Sequence, residues 1–388
     1  MEIVNFNPVT VDDYRRRARR RLPRFLFDFI DCGANNEATL ARNATDFDGY
    51  QLVQRVMKDV SQVDTRTTLA GQPSSMPLAL APIGMAGLFA RRGEVQAAMA
   101  ARSVDIPFTL SAFGISSTEE VALASGRPAW FQLYMLKDRD LMQALLERAQ
   151  RAGCTTLVFA VDAPLTGFRT RVFRNGVAAG GRVGKISKAA QILSSPHWLL
   201  NVAIKGKPLS IGNLADLRPD LNELDACKAF IESQYDPSVT WEEIAWLRSL
   251  WPGKLLIKGV LETDDAVAAI DVGADGVVVS NHGGRQLDSV ASTISRLPAI
   301  AAAVGERAEV YLDGGVRNGL DLLKAVALGA RGVLIGRPWV WALAGGGEEG
   351  LANLLTRFQH ETSIGMALMG INQVGQLSPE VIERVERR

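Results

Sequence analysis

The chain has 388 residues, 47% of them hydrophobic and 22% charged, with a formal net charge of +1. A chain of this length buries a full core without staples, and so small a charge exerts no global pull towards nucleic acid or a membrane. Cys32, Cys154 and Cys227 are widely spaced and form no C-x-x-C pair, which argues against a disulfide framework or a metal site and suits a reducing compartment.

The N-terminal stretch MEIVNFNPVTVDDYRRRARRRLPRF lacks an apolar h-region, so no secretory signal is expected. Residues 1–75 read as a polar, helical cap. The most apolar run, MPLALAPIGMAGLFA, is interrupted by Pro82 and two glycines. It is also shorter than the ~20 residues of a spanning helix. From residue 76 onward, apolar runs alternate with segments of helical period: LALAP (78–82), FTLSA (108–112), WFQLY (130–134), TLVFAVD (156–162), LLIKG (255–259), GVVVS (276–280), VYLDG (310–314) and GVLIG (332–336). Runs buried on both faces with helical crossovers predict a parallel sheet, and eight units close a (β/α)8 TIM barrel over 76–388. An open doubly wound sheet is the alternative, but no glycine-rich dinucleotide turn follows the first strand. The fourth strand is parted from its helix, placed at 241–251, by an insertion over 163–236, too long for an ordinary connection. We read 1–388 as one domain.

Strand after strand ends in a polar residue: Ser111, Gln132 with Tyr134, Asp162, Lys258, Ser280 with His282, Asp313 and Arg337. Barrel sites are built at these C-terminal ends, so the residues converge. After the last two strands, DGGVRNG (313–319) and GRP (336–338) combine glycines with Arg317 and Arg337, the usual phosphate position of the fold. The segment SNHGGRQLD (280–288) carries most of the chemistry. Neutral imidazole at His282 suits proton abstraction near pH 7, and the planar fork of Arg285 suits a carboxylate. His197 and His360 read as surface or packing residues.

SNHGGRQLD resembles the signature of the FMN-dependent 2-hydroxy acid oxidases and dehydrogenases. The similarity runs from LPRFLFDFIDCGA (22–34) through LAPIG, FQLYM, VDAP, IKG and LDGGVRNG to IGRP. It looks closest to the bacterial respiratory L-lactate dehydrogenases and to (S)-mandelate dehydrogenase. The resemblance implies FMN as cofactor, with His282 taking a proton and Asp162 stabilising the imidazolium. Arg285 and Arg169 would clamp the substrate carboxylate, and Tyr134 would hydrogen-bond the substrate. Lys258 would lie near N1 and O2 of the isoalloxazine. Pro82, Ile83, Gly84, Ser111, Gln132 and Ser280 would line the flavin; Asp313, Gly315, Arg317, Gly336 and Arg337 would hold its ribityl chain and phosphate.

Departures bear on the substrate. Phe29 stands where most members place a Tyr that touches the substrate carboxylate, and Phe113 occupies a variable pocket position, so larger or aromatic hydroxy acids are open besides lactate. Gly84, where oxidases tend to carry Ala, leans towards a dehydrogenase. From Asp162 to Asp216 there is no acid, but there are Arg169, Arg171, Arg174, Arg182, Lys185, Lys188, Lys205 and Lys207. With the apolar PHWLLNVAI (196–204), where Trp198 reads as an interfacial anchor, they suit an anionic lipid surface. A lid over the site is the compatible plainer reading. The family resemblance adds quinone as acceptor, a peripheral position on the inner face of the cell membrane and a homotetramer; the alternative is a soluble cytoplasmic oxidase that makes hydrogen peroxide.

Overall fold

The computed structural model describes residues 8–175, 181–206, 209–221 and 223–385. Eight parallel strands form its centre: β1 (Leu78–Leu80), β2 (Thr109–Ser111), β3 (Trp130–Tyr134), β4 (Thr156–Ala160), β5 (Lys254–Val260), β6 (Gly276–Val279), β7 (Glu309–Asp313) and β8 (Gly332–Ile335). The ladder runs β1-β8-β7-β6-β5-β4-β3-β2, and a parallel bridge between Leu80 and Phe108 joins its ends. This is the barrel that the eight apolar runs predicted, each strand overlapping its run. The fourth helix, Trp241–Leu250, also lies where expected, with a capping box between Thr240 and Glu243 at its start.

Alternation along the strands divides the core. Ala79, Trp130, Val158, Leu256, Val278, Tyr311 and Leu334 pack together inside the barrel, while residues such as Leu255 and Ile257 belong to the larger cluster shared with the helices. Two steps beyond that inner layer stand Gln132, Lys258, Ser280 and Asp313, all buried. The period of two therefore carries these polar side chains to the inside of the C-terminal mouth.

The first 75 residues are helical only in part. Helices α1 (Val11–Arg21), α2 (Arg24–Asp31) and α3 (Ala38–Thr45) form the cap. From Tyr50 the chain turns to short strands, and the hairpin Thr67–Leu69/Gln72–Ser74 plugs the opposite end of the barrel. Its turn, with Gly71 at φ 75°, puts Ala70 N–H on the Tyr311 hydroxyl at 2.7 Å. Here the Ala-Gly turn between two three-residue strands overrides a helical reading based on polarity.

The insertion is largely folded. It holds helices Thr170–Arg174, Gly181–Leu193 and Pro196–Trp198, a π-helical turn Leu199–Ile204, and helix Leu224–Gln234. Trp198 is no interfacial anchor: it is 6% exposed, and its indole N–H donates to the Leu88 carbonyl at 2.7 Å, pinning the insertion to the barrel. Sequence alone could not tell a docked indole from a membrane-facing one, because both are amphipathic. The apolar side chains that do face outward include Val183, Ile186, Leu193, Leu200 and Ile204. Lys207 lies outside the described residues. Among those described, no helix is long and apolar enough to cross a membrane, and all three cysteines are buried and free.

Candidate active site

His282 follows β6 in a left-handed conformation, φ 56°, continued by Gly283 and Gly284 at 63° and 72°. This turn brings Nδ1 within 2.9 Å of Asp162 Oδ1, just beyond β4. A carboxylate can only accept, so Nδ1 carries the proton and Nε2 keeps a free lone pair. Burial holds the imidazole below its ordinary pKa despite the opposing pull of Asp162. Burial raises the Asp162 pKa, yet His282 and Lys258 together bring it below the usual carboxylate range. The pair is thus a neutral base beside an ionised orienting group. Gly259, at φ 110° in the bulge of β5, makes room for it: a Cβ there would stand 2.5 Å from the Asp162 side chain.

Two guanidiniums face this pair. Arg285 lies over the Phe29 ring at 5.3 Å and Arg169 over the same ring at 5.8 Å. Arg285 Nη1 donates to the Phe29 and Cys32 carbonyls at 2.8 and 3.0 Å, which ties α2 to the signature loop. Burial first, then Arg169 and Arg337, hold the Arg285 pKa well below its ordinary value. Buried Arg169 Nε has no partner among the described residues. Like charges gathered in this way call for an anion.

Aromatic rings wall the site. Tyr134 stacks on Phe113 at 6.0 Å, lies 6.4 Å from the His282 ring and meets Tyr235 edge-on at 5.9 Å. Burial raises the Tyr134 pKa, so its hydroxyl stays a neutral donor.

On the inner wall, Lys258 Nζ is 2.9 Å from both Ser280 Oγ and Asp313 Oδ2. Burial works against this ammonium, but Asp313 and Asp162 outweigh it and raise its pKa. Ser111 Oγ donates to Gln132 Oε1 at 2.9 Å. Gln132 Nε2 and Asp313 Oδ1 are buried without a partner among the described residues. Pro82, Ile83 and Gly84 follow β1, and a Cβ on Gly84 would come no nearer than 3.8 Å to any atom. No neighbour therefore demands a glycine there.

The phosphate-type loops are more varied. Arg317 Nη1 donates to the Val316 carbonyl at 2.9 Å, and its guanidinium lies 5.5 Å from the Trp341 ring. Arg337 donates to the Ile30 and Cys32 carbonyls of the cap at 3.2 and 2.8 Å and to the Gly283 carbonyl of the signature loop at 2.8 Å, so three of its five donor positions tie the cap to that loop. Burial lowers both to about 10. Gly315 is obligatory, because a Cβ there would collide with the Asn43 carbonyl. A cavity of about 840 Å³ opens beside Arg317 and Arg337 without reaching His282, so cavity size would misplace the chemistry.

Residues 18–384 match the FMN-dependent dehydrogenase family. The chain belongs to that family. Its cofactor is FMN. The L-lactate dehydrogenase of Caulobacter sp. (strain K31) is 48% identical over 375 residues, 97% of this chain and 98% of that one. That of Alcaligenes faecalis is 45% identical over 372 residues, 96% and 98% of the two chains. Among solved structures, the monotopic membrane protein (S)-mandelate dehydrogenase superposes with a TM-score of 0.92 at 34% identity, covering 98% of this chain and 100% of the other. Mandelate oxidase gives 0.81 at 36% identity, with 97% and 98% covered.

The residues of this FMN-dependent dehydrogenase fit the cofactor. Gln132 Nε2 and Asp313 Oδ1 need partners, Lys258 has a third proton to donate, and Gly84 leaves a wall without a side chain. Sequence reasoning passed over several supporting residues. Asn43 and Asn281 form a reciprocal amide pair at 2.7 and 2.8 Å that locks α3 to the signature loop. Gln286 donates to the Asp162 and Leu165 carbonyls, and Asp288 accepts from three N–H groups at the start of α3. Asn281, Gln286 and Asp288 sat within SNHGGRQLD and could have been found there. Asn43 and Tyr235 carried no local signal.

Proposed function

We propose that this dehydrogenase oxidises an (S)-2-hydroxy acid, L-lactate or a larger aromatic analogue such as mandelate, to the 2-oxo acid and passes the electrons to quinone. The observation that carries the reading is the 2.9 Å His282–Asp162 pair facing Arg285 and Arg169. The two guanidiniums bind the substrate carboxylate and orient the carbinol carbon, and Tyr134 donates to a substrate oxygen. His282 Nε2 takes one proton, from Cα or from the hydroxyl, and Asp162 stabilises the imidazolium that results. FMN, when bound, accepts the two electrons that leave the substrate. Gln132, Ser111, Ser280 and the residues after β1 line its ring, and Lys258 supplies positive charge there. Asp313, Gly315, Arg317, Gly336 and Arg337 face its chain and phosphate.

Lactate dehydrogenase relatives at 48% and mandelate dehydrogenase at 34% identity both support a 2-hydroxy acid. Exposed Val183, Ile186, Leu193, Leu200 and Ile204, interspersed with Arg182, Lys185, Lys188 and Lys205, support peripheral docking on an anionic membrane. The monotopic relative supports the same reading. The second reading, a soluble oxidase producing peroxide, draws on the likeness to mandelate oxidase. Anaerobic bleaching of the bound flavin by lactate and by (S)-mandelate tests the substrate class, and a flavin that neither acid bleaches refutes it. Reoxidation that yields stoichiometric peroxide and ignores quinone would select the oxidase.

A further inference from the structure

Where α1 ends, a cleft of about 230 Å³ separates it from the insertion. Its walls include Arg21, Arg91, Gln96, His197, Trp198 and Asn201. That volume is below the ~300–1,000 Å³ of pockets that enclose whole drug-sized ligands, so it suits a headgroup and not an acyl tail. The Trp198, Asn201 and Gln96 side chains already have hydrogen-bond partners. Trp198 donates to the Leu88 carbonyl, Asn201 to the His197 carbonyl and Gln96 to the Arg91 carbonyl, while Gln96 accepts from Glu348 N–H.

The charges are left over. Among the described residues no carboxylate lies within ion-pair distance of Arg17, Arg21 or Arg91. Burial and then Arg17 hold the Arg21 pKa below its ordinary value, and burial, Arg21 and Arg17 do the same to His197. Arg21 is a half-buried guanidinium without a counter-ion, an unfavourable arrangement that a bound anion relieves, while Arg91 stands exposed at the rim of the cleft. On the turn that carries Asn201, Leu200 and Ile204 are 52% and 64% exposed.

We propose that this cleft binds the phosphate of a phospholipid headgroup, with Arg21 and Arg91 meeting its charge while Leu200 and Ile204 enter the adjoining apolar layer. The proposal rests on the membrane reading above and gives it a discrete lipid site in place of diffuse attraction. The test is calorimetric titration of the holoenzyme with dihexanoyl-phosphatidylglycerol below its micelle concentration, beside flotation on phosphatidylglycerol vesicles. One saturable site is expected, weakened about tenfold or more in Arg21→Gln and in Arg91→Gln, the loss expected for a charged hydrogen bond. Lys185→Gln, exposed on helix Gly181–Leu193, should stay within about twofold in the titration and lose only the ~fivefold of one surface charge in flotation. Turnover with a soluble acceptor should be unchanged in all three, which certifies their fold. Equal losses in all three variants, or no saturable site in a protein that still floats, would overturn the site and leave the membrane reading standing. Inorganic phosphate binding as tightly as the short-chain lipid would overturn the lipid assignment. Saturable lipid binding without flotation would keep the phosphate site and overturn the membrane reading, and with it the entry of Leu200 and Ile204 into the apolar layer.

Discussion

At the residue scale, the chemistry turns on which nitrogen of His282 is free. Its left-handed backbone and the Asp162 carboxylate leave Nε2 as the only available lone pair. His282→Gln keeps the shape but removes the base, so kcat should fall by ~10²–10⁴ while the flavin spectrum is retained. A colourless or fully active variant would contradict the assignment. As the proposed base, His282 works as neutral imidazole, and burial lowers its pKa from 6.5. kcat/KM should therefore hold as pH drops through 6.5 and decline only below it, as the ring takes up a proton; a decline centred above 6.5 would mean another group controls the rate. Phe29 lies beneath both clamp guanidiniums and lacks a hydroxyl. Phe29→Tyr adds one hydrogen bond towards a bound carboxylate, worth ~1 kcal/mol or more, so KM for a small 2-hydroxy acid should fall about fivefold. An unchanged KM would place the carboxylate elsewhere.

At the scale of elements, strands aim the side chains and bulges make room for them. Gly259 combines a positive φ with contact to Asp162. Gly259→Ala should cost ~1–3 kcal/mol of stability and displace Asp162, lowering kcat more than it raises KM. Equal effects on the two would show that the pair had not moved. Asp31 is an anchor between the cap and the insertion: it takes Arg15 at 2.6 and 2.9 Å and Arg171 at 2.7 Å. Burial raises the Asp31 pKa, but the two guanidiniums overcome it and leave a net lowering. A carboxyl whose folded pKa lies below its unfolded value stabilises fully above the unfolded pKa and loses that contribution as pH falls through the folded one. Wild type should exceed Asp31→Asn in stability at neutral pH and converge with it below about pH 4, read by denaturation at each pH. A constant gap would show that the anchor acts by packing.

At the scale of the whole molecule, the mouth of the barrel concentrates part-buried positive charge. Arg285, Arg169, Arg317 and Arg337 converge there, and three of the four have depressed pKa values. Such a cluster predicts that the anionic cofactor contributes to stability as well as chemistry. Adding FMN to the apoprotein at a hundredfold excess over its dissociation constant should contribute ~2.7 kcal/mol and raise Tm accordingly. Riboflavin, which lacks the phosphate, should recover only part of that rise; an equal rise would mean that the arginines do not meet the phosphate.

Much of this was legible from sequence, because a barrel writes its period into local patterns. Eight apolar runs marked eight strands, and the polar residues closing seven of them marked the candidate site; alternation by two sends Gln132, Lys258, Ser280 and Asp313 inward. SNHGGRQLD marked the histidine and the arginine. What tertiary structure alone decided concerns contacts between distant segments. That Trp198 docks on Leu88, that Asn43 pairs with Asn281 and that residues 67–74 plug the far end depend on neighbours far away in the chain. Periodicity reports which face of an element is apolar; only packing decides what that face meets.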